Sequence, residues 1–293
     1  MEQRGIIMKI LAQLTLFVLI TLMSATLYGN PVVKQHSLNL SKPGEPVNLE
    51  VEVRYGSITI EGYNGKTVEI QATFKDLDAE TLKKYRNRDY DWDKENRSAP
   101  RSADGLKRVK NTRIHLEIEE EDNHVSIGSE VQNRQIDLLI KVPAKSNIQA
   151  SVYDKGNLNI KDITGKLELS NHRGGITAMD INGPIVAETW RADIVISFDG
   201  YNSEHPSSFS SHHGNIDITV PEKKAKMELI VNTYRGEILS GLNTEFVPSD
   251  EIRKNNDGQQ EITIGGAMSA KLNGGGQTVT AQTYGGNVYV RKR

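Results

Sequence analysis

The sequence predicts an all-β chain folded as a β-solenoid with nine-residue half-coils, about 18–22 residues per coil, and three observations carry that prediction. First, residues 155–199 repeat one nine-residue unit five times without an insertion: KGNLNIKDI, TGKLELSNH, RGGITAMDI, NGPIVAETW and RADIVISFD. Second, each unit alternates, with Leu158/Ile160, Leu167/Leu169, Ile176/Ala178, Ile185/Ala187 and Ile194/Ile196 at its fourth and sixth positions and mostly polar residues between them. That is a short strand with one buried face. Third, the ninth position differs between neighbouring units. Ile163 and Ile181 take one set and His172 and Trp190 the other, so the true period is two strands with two different corners. No single unit can bury its own apolar face, so the units must stack into a continuous core. Gly156, Gly165, Gly174, Gly183 and Ala192 hold the second position, where the chain turns and needs either φ > 0 or close backbone approach.

The remaining elements follow from the same pattern. Val32 to Leu40 and Val47 to Val53 alternate as strands around the turn Lys42-Pro43-Gly44, and Arg54 to Ile60 is the repeat in its first form. Thr67 to Phe74 is a further strand after the turn Asn64-Gly65-Lys66. Residues 75–111 break the pattern. They are charged and poor in aliphatics, helical in character from Asp78 to Tyr85 and loop-like from Arg97 to Gly105. They read as an insertion, with a functional lid carrying Tyr90 and Trp92 as the alternative. Ile114 to Ile118 and Val125 to Ile127 form a hairpin around Glu119 to Asn123, and Ile136 to Val142 is an apolar strand closed by Pro143. Beyond the perfect repeats, Tyr201 to Ser208 is a Ser-rich loop and the motif resumes at His213 to Ile218, Arg235 to Ile238 and Gly285 to Val290. Met227, Met268 and Gln277 fill the glycine slot elsewhere, and residues 245–260 are a polar loop. The repeat appears on both sides of each excursion, so residues 30–293 form one domain.

Of 293 residues, 37% are hydrophobic and 25% charged, which is a globular composition. The formal charge of −2 argues against a nucleic-acid partner, which calls for a basic domain or face. Arg4 and Lys9 precede an apolar run from Ile10 to Met23 and the small residues Ser24 and Ala25. Residues 1–29 therefore read as a signal peptide cleaved near Ala25 or Gly29, or as an uncleaved anchor spanning Ile10 to Leu27, the one case in which the protein would meet the membrane. Both readings imply export, to the periplasm or to the cell surface and outer membrane. With no cysteine, the exported chain must be held by backbone ladders rather than disulfides.

The succession VEVRYGSITIEGYNGKTVEI, IDLLIKVPAKSNIQASVYDKGNLNI, HHGNIDITVP, VNTYRGEIL and AQTYGGNVYVRKR resembles the exported bacterial family of unknown function labelled "putative adhesin". The resemblance spans nearly all of the chain after the export segment except the insertion. It implies a single-stranded right-handed parallel β-helix and a cell-envelope or surface location, and it carries no catalytic residues to transfer. Fold analogy does not assign function.

Three sets of residues are candidates for chemistry. Just before the repeat glycine in alternate units stand His172-Arg173, Trp190-Arg191, His212-His213, Tyr234-Arg235 and Tyr284-Gly285. In stacked coils these make a basic column beside an aromatic one, suited to an acidic glycan, envelope polymer or envelope protein. The competing reading is solvated cations with rings covering the turn. Asp162 and Asp180, joined by Asp199, are the second set, either a carboxylate pair of a polysaccharide-active enzyme or turn residues. His172, His205, His212 and His213 lack metal-ligand spacing, so no metal and no cofactor are expected. The sequence thus points to a non-enzymatic exported envelope or surface protein that presents a repetitive face for binding, or for assembly through the solenoid ends. The alternative is the enzyme using Asp162 and Asp180.

Overall fold

The computed structural model describes residues 31–77, 80, 81, 83, 114–129, 134–201, 203–254 and 260–293. The export segment and most of the charged insertion lie outside the described residues. Before the insertion come β1 (Val32–Asn39), β2 (Asn48–Val53), β3 (Ile58–Tyr63) and β4 (Thr67–Asp76), and after it β5 (Glu117–Glu121), β6 (His124–Gly128) and β7 (Arg134–Pro143). The perfect repeats give β8 (Asn147–Val152), β9 (Leu158–Lys161), β10 (Leu167–Asn171), β11 (Ile176–Ile181), β12 (Ile185–Thr189) and β13 (Ile194–Phe198). Then follow β14 (Ser207–Ser211), β15 (Ile216–Val220), β16 (Met227–Thr233), β17 (Ile238–Ser240), β18 (Val247–Lys254), β19 (Gln260–Leu272), β20 (Gln277–Thr283) and β21 (Val288–Lys292). Helix is confined, among the described residues, to Glu80, Thr81 and Lys83.

These strands form two mixed sheets, one of ten strands and one of eleven. From β8 to β15 consecutive strands fall in alternate sheets and pair in parallel with the strand two places away. The register matches the repeat. Leu158, Ile176 and Ile194 are partners at 18-residue steps, and Ile216 follows Ile194 after 22 because a longer connection joins β13 to β14. Alternate residues point inward, and the apolar faces of both sheets meet in one core that includes Leu158, Leu167, Ile176, Ile185, Ile194 and Ile216. Ile163 and Ile181 are fully buried at one corner, whereas Trp190 is exposed at the other.

Several features depart from the sequence reading. Parallel pairing holds in the middle only. β4 is antiparallel to β7 and carries β1 outside it, β5 is antiparallel to β6, and β16 pairs antiparallel with β19, which pairs antiparallel with β18. Nor is the stacking sequential. β20 lies between β14 and β16, and β21 between β15 and β17, so the last two strands enter the stack ahead of β16 and β17. At the other end β2 and β3 lie between β6/β7 and β8/β9. Alternation fixes which face of a strand is buried but not which edge it docks on, so strand order was open. Residues 245–260, read as a polar loop, contain β18, which pairs antiparallel with β19 although its sequence shows no apolar alternation. β4 continues to Asp76, so Lys75 and Asp76 are strand rather than insertion, and within the Ser-rich stretch Ser207 and Ser208 open β14 while Tyr201 is a core residue.

The repeat glycines serve close approach. A Cβ on Gly174 would overlap the carbonyl oxygen of Gly156 in the neighbouring layer, and one on Gly214 that of Ala192. A column of inward polar side chains bridges each such approach. Asn171 donates to the Gly156 carbonyl (3.1 Å) and accepts from Gly174 N–H (2.8 Å). Ser211 donates to the Ala192 carbonyl (3.1 Å) and accepts from Gly214 N–H (2.9 Å). Thr283 bridges Gly214 and Gly286 at 2.7 and 3.3 Å, Thr233 bridges Gly286 and Gly236 at 2.6 and 3.0 Å, and Thr189 donates to the Gly174 carbonyl at 3.1 Å. Asn171, Thr189, Ser211 and Thr283 are buried, so these bonds satisfy groups that water cannot reach.

Two outcomes follow. Gly174→Val forces backbone of adjacent layers apart, and Thr283→Val leaves the Gly214 carbonyl and the Gly286 N–H unpaired. Each is expected to lower stability by about 1–3 kcal/mol, read as a fall in the urea midpoint. Asp137 gives a pH-dependent case. Burial opposes its charge, but Lys75 (2.6 Å), Gln135 (3.0 Å) and the Ser57 N–H (3.0 Å) outweigh that and hold its carboxyl below the ordinary aspartate value. A depressed folded-state pKa contributes stability above the unfolded value that is lost as pH falls through the folded one. The urea-midpoint gap between wild type and Asp137→Asn is therefore expected to be full at neutral pH and to close progressively below 3.8.

Candidate functional site

The residue after each inward position that precedes a corner, Val53, Val152, Asn171, Thr189, Ser211, Thr283 and Thr233, must point outward, because alternate residues of a strand face opposite sides. Layer by layer, the order of the eleven-stranded sheet places Arg54, Tyr153, His172, Trp190, His212, Tyr284 and Tyr234 in one column. The rings stack on one another: Tyr153 on His172 at 5.6 Å, Trp190 on His212 at 4.2 Å, His212 on Tyr284 at 5.0 Å and Tyr284 on Tyr234 at 4.9 Å between centroids. The Arg54 guanidinium lies 5.8 Å from the Tyr153 ring. Neighbouring strands are about 4.8 Å apart, so aromatic residues in register stack at the strand repeat. The buried Nδ1 of His212 has no hydrogen-bond partner among the described residues, so stacking holds that imidazole.

The next residue along gives a second column: Tyr55, Asp154, Arg173, Arg191, His213, Gly285 and Arg235. The sequence brings Arg173, Arg191, His213 and Arg235 together as foreseen, but the structure divides them. Arg173 is bonded to the buried Asp154 at 2.7 Å, which neutralises it. Burial pushes the Tyr55 phenol up, reinforced by the same Asp154 carboxylate. Arg191 and Arg235 form no ion pair among the described residues, in contrast to Arg134, Arg173, Arg291 and Arg293. Arg235 instead covers the Tyr284 ring at 5.0 Å, and Gly285 interrupts the cations between His213 and Arg235.

A groove of about 800 Å³ runs beside the rings of Trp190, His212, Tyr284 and Tyr234. Its floor is an outward row two residues before the rings, Glu188, Ser210, Gln282 and Asn232, which are register partners in that order. Tyr153, Arg54 and this polar row escaped the sequence reading. Tyr153 could have been found, since VYD in β8 precedes its glycine by one residue more than in the other units.

The second candidate set takes a different place. Asp162 and Asp180 lie at the opposite corner with φ of 57° and 55°, a left-handed turn conformation that Asp tolerates. Asp180 is ion-paired to Arg293 at 2.8 Å, and Asp199 lies 3.6 Å from the same guanidinium. The cleft sought between these carboxylates and the insertion involves residues outside the described ones. No three His, Cys, Asp or Glu side chains among the described residues are grouped to hold a metal ion.

The division of the basic column is testable. Arg173→Ser strands the buried Asp154 carboxylate and is expected to cost about 1–3 kcal/mol of stability, while Arg191→Ser leaves the urea midpoint within about 0.5 kcal/mol of wild type.

No protein-family model and no curated protein matches this chain. Its structural neighbours carry adhesin names. They include a "putative cell adhesion protein" from Clostridium sporogenes at 9% identity, covering 90% of this chain and 100% of that one with a TM-score of 0.45. A "putative adhesin" from Bacteroides fragilis is 9% identical over 90% of this chain and 97% of that one (TM-score 0.36), and another from Parabacteroides merdae is 10% identical over 90% and 92% (TM-score 0.31). At these values the likeness assigns no ligand, activity or residue role to this chain.

Proposed function

We propose that this is a non-enzymatic, exported cell-envelope or surface protein, adhesin-like, whose strands wind as a right-handed β-solenoid and present the aromatic and cationic corner as a binding face for an acidic glycan or other envelope polymer. Residues 1–29 would direct export, and the layered domain would work in the periplasm or at the surface. One observation carries the reading: among the described residues Arg191 and Arg235 stand without an anionic partner, beside exposed rings that line a groove, whereas Arg134, Arg173, Arg291 and Arg293 are ion-paired within the fold. Turn formation alone does not call for rings and free cations at one corner, since buried Ile163 and Ile181 close the other. Repetition along a rigid face lets weak contacts add.

The test replaces the two free cations and spares Arg173, whose loss would disturb the fold. Arg191→Ser/Arg235→Ser is expected to keep the wild-type urea midpoint, to reduce retention on isolated envelope fractions, and to flatten the salt dependence of that retention. Wild-type retention at the same ionic strength would show that the corner is solvated surface.

A further inference from the structure

Each sheet has two terminal strands, and the outer edge of a terminal strand is a row of unpaired N–H and C=O groups that another strand can join. Three of the four are guarded against that. β17 is three residues long, β5 carries Glu117, Glu119, Glu120 and Glu121 within five residues, and β18 contains Pro248 and a break in register between Ser249 and Glu251. β1 has none of these devices. Its eight residues, VVKQHSLN, include no Pro, Gly or acid and pair with β4 in unbroken register, and no strand among the described residues lies on its other side. Val32 and Val33 are 40% and 50% exposed. The strand also overhangs: counting outward from β2 and β3, β5 is level with β4, and no strand of the eleven-stranded sheet is level with β1.

We infer that β1 is a dimerisation edge, on which β1 of a second copy of this chain pairs antiparallel about a two-fold axis at Gln35. The inference is independent of the binding corner, none of whose residues lies on β1. In this register the strand is complementary to itself: Val32 stands opposite the partner's Leu38, Val33 opposite the partner's Ser37, Lys34 opposite the partner's His36, and Gln35 opposite its own copy. Val32 and Leu38 are register partners of the buried Phe74 and Val68, so the apolar pair, made twice by the axis, extends the inward face beyond the core. On the outward face Gln35 donates to Gln71 at 2.8 Å and keeps a carbonyl and a second N–H for the amide across the axis. Other registers fail. A slip of one residue turns the partner's inward face outward, and a slip of two sets Lys34 opposite either Leu38 or another Lys34. Because β1 overhangs, the acidic β5 strands of the two copies stay three strand spacings apart, about 14 Å, where salt screens their repulsion. A single strand pair is smaller than the standard interface of about 1,600 Å², so the dimer is weak and reversible.

Sedimentation of the full chain over a wide micromolar range is expected to show a reversible monomer–dimer equilibrium. Gln35→Lys and Gln35→Glu each set like charges opposite one another on the axis. Each is expected to weaken the dimer about three- to tenfold at an unchanged urea midpoint, and an equal mixture of the two to associate at least as well as wild type. The chain has no cysteine, so one introduced thiol reads the register. Gln35→Cys places two thiols on the axis with Cα atoms about 5 Å apart and is expected to give a disulfide-linked dimer on air oxidation. Ser37→Cys, opposite the partner's Val33, leaves its two thiols about 13 Å apart and is expected to stay unlinked. A monomer at every concentration, association that Gln35→Lys leaves unchanged, no gain on mixing the Lys and Glu variants, or equal linking of Gln35→Cys and Ser37→Cys would each overturn the assignment.

Discussion

The structure depends on the distance at which the backbone of one layer passes over the backbone of the next at its corners, and on the polar side chains that bridge this approach at one of them. There the carbonyl of one layer lies against the Cα of the glycine above it, as Gly156 does under Gly174, leaving no room for a side chain. Such an approach brings a carbonyl and an N–H into the interior without a strand partner, and an unpaired buried polar group is costly. Asn171, Ser211, Thr283 and Thr233 answer both needs with one side chain each, donating to the carbonyl below and accepting from the glycine N–H three residues ahead. Glycine and a small hydrogen-bonding residue three places before it are thus two halves of one device. Where the device is absent, in the layers of β2 and β8, Val53 and Val152 occupy the inward position and the corner is an apolar one.

The candidate site is a by-product of that device. Turning residue 171, 189, 211, 233 or 283 inward turns the next residue outward, and the layer spacing brings those outward residues into stacking contact. From Trp190 through His212 and Tyr284 to Tyr234 the rings then cover one another, so His212 and Tyr284 offer their edges. The cationic column beside them is likewise not uniform. Asp154 is buried under Arg173 and turns that arginine into a structural residue, while Arg191 and Arg235 keep their charge for solvent or a ligand.

The ends of the stack follow a different rule. A parallel array leaves open edges that would pair with any other strand, and here antiparallel strands cover three of the four: β4 and β1 beyond β7, β5 beyond β6, β19 and β18 beyond β16, while the short β17 ends the ten-stranded sheet. The same ends hold the out-of-order strands. Inserting β20 and β21 ahead of β16 and β17 puts Tyr284 between His212 and Tyr234, and so joins segments far apart in the chain into one stack.

The all-β class, the nine-residue register and the contrast between the two corners were legible from residues alone, because alternation and a fixed glycine spacing are local signals that any stacked arrangement must obey. The aromatic and basic residues of the corner were legible for the same reason. Asn171, Thr189, Ser211, Thr233 and Thr283 were not, since a polar residue near a turn reads as exposed until the opposing carbonyl is seen. Which strand lies beside which, whether Arg173 is free, and where the ring stack ends are decided by contacts across tens to over a hundred residues. Asp154 neutralises one cation, and Tyr284 arrives from the C-terminus to stand between His212 and Tyr234. Local pattern determines the face each residue presents, and only the tertiary fold determines what stands opposite that face.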